Sequence, residues 1–160
     1  MHLSGELFGF MSGTEVVHVP YRGEGPATVD LLAGRIHFMV ASVLALLPHI
    51  RTGELRALCV NADHRVALLP DVPTAAEAGL PGYKTYNWHA LFAPLGTPEP
   101  IIKRLNEALT KALTTPEARQ QFDEIGIELV ISNPSDLSAE LKRQSDFWGP
   151  LIGRAGVKLD

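Results

Sequence analysis

The strongest constraint on the fold is the alternation of helical segments with short apolar runs. Helical patterns, each followed by a glycine that can end a helix in the left-handed conformation, span 2–12, 26–33 and 43–51. Apolar runs typical of buried strands lie at 16–19, 36–40 and 55–61. Because strand–helix–strand connections within one sheet favour parallel strands, this order predicts an α/β fold with a parallel-type sheet flanked by helices.

The character of the sequence changes after the Pro/Gly cluster at 94–98. Further helices are predicted at 72–79, 99–114, 116–125 and 134–155, and a short strand at 128–131. The cluster is the clearest lobe boundary, because Pro and Gly interrupt regular structure. We therefore predict one lobe at 1–93, a hinge at 94–98 and a second portion at 99–160.

Charge and hydropathy exclude several classes of protein. The chain has 14 basic and 18 acidic residues, a net charge of −4, and no Lys/Arg run, so nucleic acid is not an expected partner. No apolar stretch reaches the roughly 18 residues of a membrane span. Residues 1–8 form an amphipathic helical pattern without a basic region or a cleavage site, so no signal peptide is predicted.

The most informative stretch is the turn between the strand at 16–19 and the following helix. Two glycines turn the chain there, and a proline opens the helix at the carboxyl edge of the predicted sheet, where ligands of open α/β folds usually bind. Helix N–H groups at that point favour an anion. The candidate ligand-binding residues are Tyr21, Arg22, Gly23, Gly25, Pro26 and Ala27. The alternative is that Gly and Pro serve only the turn, as in any strand-to-helix connection.

Two further places are candidates for a ligand cleft. Ala41 and Ser42 follow the second predicted strand, and the Ser42 hydroxyl suits either capping of the next helix or a ligand contact. Trp88 and His89 end an extended segment and suit a cleft wall, although Trp88 is equally suited to anchoring the core between lobes.

Six histidines raise the question of a metal site or a catalytic site. No His-Glu-x-x-His or paired-cysteine spacing is present, so no metal site is predicted, and no Gly-x-Ser-x-Gly turn occurs. A Ser–His–Asp triad stays open, because its members need not be near one another in the sequence. A small α/β hydrolase or metal-dependent enzyme that uses His18, His37 or His89 stays the alternative.

Several short runs in the same order and register carry a family resemblance over nearly the whole chain. They are HLSGELF at 2–8, VPYRG at 19–23, DLLAG at 30–34, LPHI at 47–50, LRAL at 55–58, LPDVPT at 69–74, EAGLPGY at 77–83, AP at 93–94 and GTP at 96–98. Together they resemble the Bug/TctC family of extracytoplasmic solute-binding receptors of tripartite tricarboxylate transporters.

The resemblance implies a two-lobed, Venus-flytrap protein of the periplasm. Such a receptor closes over a small carboxylate, delivers it to membrane transporter subunits, and has no cofactor and no catalytic activity. The chain resembles the second lobe plus the C-terminal helices of the first lobe. By position, the turn at 21–27, the pair Ala41 and Ser42, and the pair Trp88 and His89 would line or border the cleft.

Three departures from the family pattern qualify these implications. About half of a typical member is absent, so the chain resembles a truncated receptor, and a non-functional fragment is a further alternative. Ala41 stands where many relatives have an acidic residue, which argues against an amino-acid ligand. Glu24 stands where relatives commonly have a small residue, and its charge would weaken anion attraction unless it points to water. The apolar faces of the last helices predict self-association, or else disorder in residues 95–160.

Overall fold

The computed structural model describes residues 1–155, and regular structure in this range is helical. The helices are α1 (His2–Ser12), α2 (Glu24–Leu32), α3 (Val43–Arg51), α4 (Glu99–Leu113), α5 (Pro116–Glu124) and α6 (Pro134–Ala155). The helices predicted at 2–12, 26–33, 43–51, 99–114, 116–125 and 134–155 are therefore confirmed, with small changes at their ends. Within 1–155, no helix is long and apolar enough to cross a membrane.

Local signals explain where the helices begin and end. Gly13 has a φ of 67°, which a residue with a side chain rarely adopts, and its N–H bonds to the Gly9 carbonyl to end α1. At the start of α5, the Thr115 hydroxyl accepts the Ala118 N–H at 3.2 Å, and Pro116 takes the first helical position. The two partners of each contact lie within a few residues of each other in the sequence. The local sequence therefore determines where these helices begin and end.

The predicted parallel sheet is not found in the described residues. The segments 16–19, 36–40, 55–61 and 128–131 form no strand, and one parallel bridge pairs Val60 with Thr74. Val17 and Val130, expected inside a sheet, are 79% and 75% exposed. An apolar β-branched run favours extended backbone, but a strand also requires a neighbouring segment to complete its hydrogen bonds. No neighbour in residues 1–155 completes a ladder along these segments.

The helix predicted at 72–79 is also wrong, although its start signal is real. The Thr74 N–H donates to the Glu77 carboxylate at 2.7 Å, and the Thr74 hydroxyl accepts the Glu77 N–H at 3.2 Å. This reciprocal pair is the capping box of a helix start. One helical hydrogen bond follows, from the Ala78 N–H to the Thr74 carbonyl at 2.9 Å. Gly79 then has a φ of 98°, so the helix does not continue and the segment forms turns only.

The chain divides into two compact units. The first unit comprises Met1–Asn87 and the chain from Trp148 onward, and the second comprises Trp88–Phe147. The first has a core of Leu7, Ala75 and Tyr83, against which other apolar side chains pack: Phe8, Met11, Cys59, Leu80, Trp148 and Leu151. The Tyr83 hydroxyl donates to the Ser4 carbonyl at 2.9 Å, so the polar end of this buried ring is satisfied.

The second unit is built from α4, α5 and most of α6. The Asn106 amide donates to the Ser132 carbonyl at 2.9 Å, and the Asn133 side-chain oxygen accepts the Asp136 N–H at the start of α6. None of the described residues 88–147 is buried. The lobes and the hinge at 94–98 that we inferred from the sequence stay predictions.

Candidate functional site

The start of α2 forms the candidate ligand-binding turn. The helix begins at Glu24, two residues before the predicted start, with Gly23 as its N-cap. Gly23 has a φ of 105°, and a Cβ atom placed at Gly23 or Gly25 would meet nothing within 4 Å, so the space beside this backbone is open. By helix geometry, the N–H groups of Gly23, Glu24 and Gly25 have no acceptor within α2. The turn therefore offers backbone donors beside open space.

Glu24 joins the start of α2 to the start of α3. Its carboxylate accepts the Ser42 backbone N–H at 2.8 Å and the Ser42 hydroxyl at 2.9 Å. Ser42 is the N-cap residue of α3, but its side chain makes no capping hydrogen bond. Of the two roles predicted for the hydroxyl, capping is therefore not observed, and the hydroxyl is bonded to a carboxylate instead.

Tyr21 is fixed by the ion pair between Asp30 on α2 and Arg35, which follows the end of this helix. Its hydroxyl donates to one Asp30 oxygen at 2.8 Å, and the Arg35 guanidinium donates to the other at 2.7 Å. The hydrogen bonds from Arg35 and then from Tyr21 lower the pKa of Asp30, and the bond to Asp30 raises the pKa of Tyr21. The phenol therefore stays protonated and oriented, and its hydrogen bond ties the start of the turn to α2.

The structure brings most of the predicted site residues into one region of the first unit. Arg22, Gly25 and Pro26 are exposed, and no ion pair of residues 1–155 involves Arg22. Ala27 is buried at 7% exposure, so it faces the interior of the unit. Ala41 is half-buried beside Ser42.

Trp88 and His89 belong to the second unit. Trp88 is 38% exposed and His89 is exposed. Their predicted place beside the cleft stays a prediction.

Sequence reasoning missed three residues of this region. Glu24 was expected to oppose an anion, whereas it bonds Ser42, 18 positions away in the sequence. Asp30 and Arg35 were not predicted as supports of Tyr21. Asp30 lies in the DLLAG run of α2, nine positions after Tyr21. An acid on a helix is only a weak signal for a partner of Tyr21, because many exposed helix acids have no such partner.

The histidines do not form a metal site in the described residues. His2 and His18 stack with ring centroids 3.6 Å apart, and His2 bonds the Glu6 carboxylate at 3.2 Å. Burial and the neighbouring His2 lower the pKa of His18. A cavity of about 230 Å³ near this pair is lined by Phe10, Arg154 and other residues, none of them a predicted site residue.

The family assignment follows from a match along almost the whole chain. Residues 1–157 match the model of the tripartite tricarboxylate transporter family receptor, TctC. This chain belongs to the TctC receptor family. The resemblance that the short runs carry is therefore confirmed. TctC proteins are solute-binding receptors, which makes the hydrolase and metalloenzyme alternatives inconsistent with the family.

Solved structures of TctC-type receptors are similar to this chain. R. palustris Rpa4515 with adipate is 37% identical with a TM-score of 0.84, over 97% of this chain and 52% of that one. The periplasmic binding protein BugD is 33% identical with a TM-score of 0.81, over 98% and 53%. MatC from Rhodopseudomonas palustris with bound malate is 32% identical with a TM-score of 0.76, over 94% and 52%.

The chain spans about half the length of the first curated relatives that it matches. Two of them are 39% and 36% identical and are covered over 46% and 48% of their length. The fold itself is shared with the solved receptors over about half of their length, 52% for Rpa4515 and 53% for BugD.

Proposed function

We propose that this chain binds a small carboxylate at the start of α2, as part of an extracytoplasmic receptor for a tripartite tricarboxylate transporter. The ligand-binding residues are the turn at 21–27 with Ala41 and Ser42. Trp88 and His89 are proposed to border the same cleft. The ligand passes to membrane transporter subunits, and the receptor works in the periplasm.

One observation carries this proposal: side-chain hydrogen bonds join the starts of α2 and α3, so the backbone donors of the α2 turn and the donors of Ser42 lie in one region. Glu24 of α2 accepts both hydrogen bonds of Ser42 at the start of α3. Helix N-termini favour negative groups, since their amides and dipoles are positive there. Arg22 is exposed within the same turn and adds a positive charge.

The bound ligands of similar structures support the ligand class. The Rpa4515 structure contains adipate, and the MatC structure contains malate. Both are small dicarboxylates, so carboxylates are the first compounds to test. The identity of the natural ligand is a separate question, because residues from both lobes of a flytrap receptor contact it.

Calorimetric titration tests the proposal. The ligands are adipate, malate, citrate and hexanoate, and 1,6-hexanediol is the uncharged control with the carbon chain of adipate. At least one carboxylate is expected to bind, and the diol is not. Arg22→Ala is expected to weaken binding several-fold, whereas Arg56→Ala, which removes an exposed charge elsewhere in the first unit, leaves it unchanged. If no carboxylate binds at millimolar concentration, the receptor function is wrong for this chain.

We also propose that the chain self-associates. Large apolar side chains are exposed in the second unit, among them Phe92, Val130 and Phe147. Exposed apolar patches are typical of surfaces that bind a partner. Light scattering during gel filtration is expected to give a mass above the 17.4 kDa of one chain. A monodisperse monomer at high concentration would contradict self-association and would leave carboxylate binding untouched.

A further inference from the structure

Glu24 places a carboxylate of the protein itself on the donors at the start of α3. The two oxygens accept the Ser42 N–H at 2.8 Å and the Ser42 hydroxyl at 2.9 Å. The first turn of α3 contains no acidic residue of its own. Glu24 therefore supplies from another helix the negative group that this helix start favours. These donors are fit for a carboxylate, since one already occupies them.

An incoming carboxylate at Ser42 meets two obstacles. Both Ser42 donors are engaged, so the ligand has to displace the Glu24 side chain before it can use them. A second carboxylate beside Glu24 is also repelled, because like charges in a partly buried place interact strongly. Glu24 is half-buried, so water screens this repulsion only in part.

The backbone donors of the α2 turn are not blocked in the same way. Gly23 and Gly25 have open space beside them, and within residues 1–155 the hydrogen bonds of the Glu24 carboxylate go to Ser42 and not to this turn. One carboxylate group can reach these amides while Glu24 stays bonded to Ser42. A second group of the same ligand, directed to Ser42, cannot.

We propose that Glu24 is a specificity-determining residue, an internal carboxylate that holds the Ser42 donors and selects ligands with a single carboxylate over dicarboxylates. This inference rests on the proposed carboxylate-binding function and names the ligand class within it. Removal of the Glu24 side chain frees the Ser42 donors for a second carboxylate of the ligand.

Titration of adipate and hexanoate into the full chain tests the role of Glu24. These ligands share a six-carbon chain and differ in one carboxylate. Glu24→Ala is expected to raise the affinity for adipate by about tenfold and that for hexanoate by much less, as expected for removal of one opposing charge from a helix start. Glu15→Ala removes an exposed acid from the same unit and is expected to change neither affinity.

Glu24→Gln separates charge from structure. The amide keeps the size of the side chain and an acceptor for Ser42, but it lacks the charge, so adipate affinity is expected to rise less than in Glu24→Ala. Circular dichroism checks the folding of each variant. If Glu24→Ala does not fold, the rise in Glu24→Gln decides the question. In either folded variant, adipate is expected to shift the Ser42 amide resonance in a ¹H–¹⁵N spectrum.

The outcomes distinguish this proposal from the receptor function. If the native chain binds carboxylates and the Glu24 variants bind adipate and hexanoate as it does, Glu24 only holds α2 to α3, and the receptor function stands. An unshifted Ser42 amide leads to the same conclusion. If neither the native chain nor any variant binds a carboxylate, the receptor function fails, and the role of Glu24 fails with it.

Discussion

The two units of the chain differ in how their helices are stabilised. In the first unit, Leu7, Ala75 and Tyr83 are buried together, and polar links such as that from Tyr83 to Ser4 connect distant parts of the chain. In the second unit, α4 and α5 contact each other, yet none of the described residues 88–147 is buried. Local caps and helix propensity therefore define the second unit, whereas burial of apolar surface defines the first.

This difference matters for function, because the candidate turn at 21–27 and Ser42 lie in the unit that has a core. The turn at the start of α2 is supported by Thr28, whose buried hydroxyl donates to the Glu24 carbonyl at 2.8 Å. A binding site needs donors held in a fixed geometry, since ordering them on binding costs affinity. The second unit lacks such buried support and instead exposes apolar faces.

The largest expected effect comes from removal of the buried ring of the first unit. Tyr83 is 4% exposed, so Tyr83→Ala is expected to lower the free energy of unfolding by about 3–5 kcal/mol. Leu105→Ala in the second unit removes a side chain that is 43% exposed and is expected to cost less than about 1 kcal/mol. Urea denaturation followed by circular dichroism measures both. Equal losses would mean that the two units are stabilised alike.

A smaller, local effect is expected at the helix cap of α5. Thr115→Ala removes the acceptor for the Ala118 N–H and is expected to destabilise α5 by about 1 kcal/mol, whereas Thr115→Ser keeps the oxygen. Hydrogen exchange is expected to show faster exchange in α5 and no change in α1. Ser145→Ala, an exposed change in α6, is the control. Faster exchange in α1 would show that the core of the first unit depends on α5.

The sequence predicted those parts of the fold whose signals are local. Gly13 ends α1, Pro116 begins α5 and Pro134 begins α6, and each signal lies within a turn of the helix that it defines. The prediction of strands was wrong because the signal for a strand is not local. A strand depends on a neighbouring segment that its own sequence does not specify. Val17 has the side chain of a buried strand residue but is 79% exposed.

The same limit applies to the site. The position of the turn and the presence of Ser42 at the start of α3 were predicted, because Gly, Pro and Ser mark helix starts. The bond between Glu24 and Ser42 was not predicted. These residues are 18 positions apart in the sequence, and they meet only because α2 packs on α3. Sequence identified the donors, and only the structure assigns a carboxylate of the protein to them.

The smallest expected effect concerns the charged support of the turn in acid. The Arg35 and Tyr21 hydrogen bonds lower the pKa of Asp30 below its usual value of about 3.9. The stabilisation is therefore fully present above that value and is lost as the pH falls through the lower pKa of the folded state. The melting temperature of the native chain is expected to fall more steeply between about pH 4 and pH 2 than that of Asp30→Asn.

Asp71→Asn is the matched control, because Asp71 is an exposed acid without an ion pair in residues 1–155. The melting temperature of this variant is expected to fall with pH between about pH 4 and pH 2 as steeply as that of the native chain. Tyr21→Phe removes one of the two bonds to Asp30 and is expected to give an intermediate slope. If Asp30→Asn and the native chain lose stability in parallel, the bonds from Tyr21 and Arg35 make no net contribution. The core alone would then hold the turn in place.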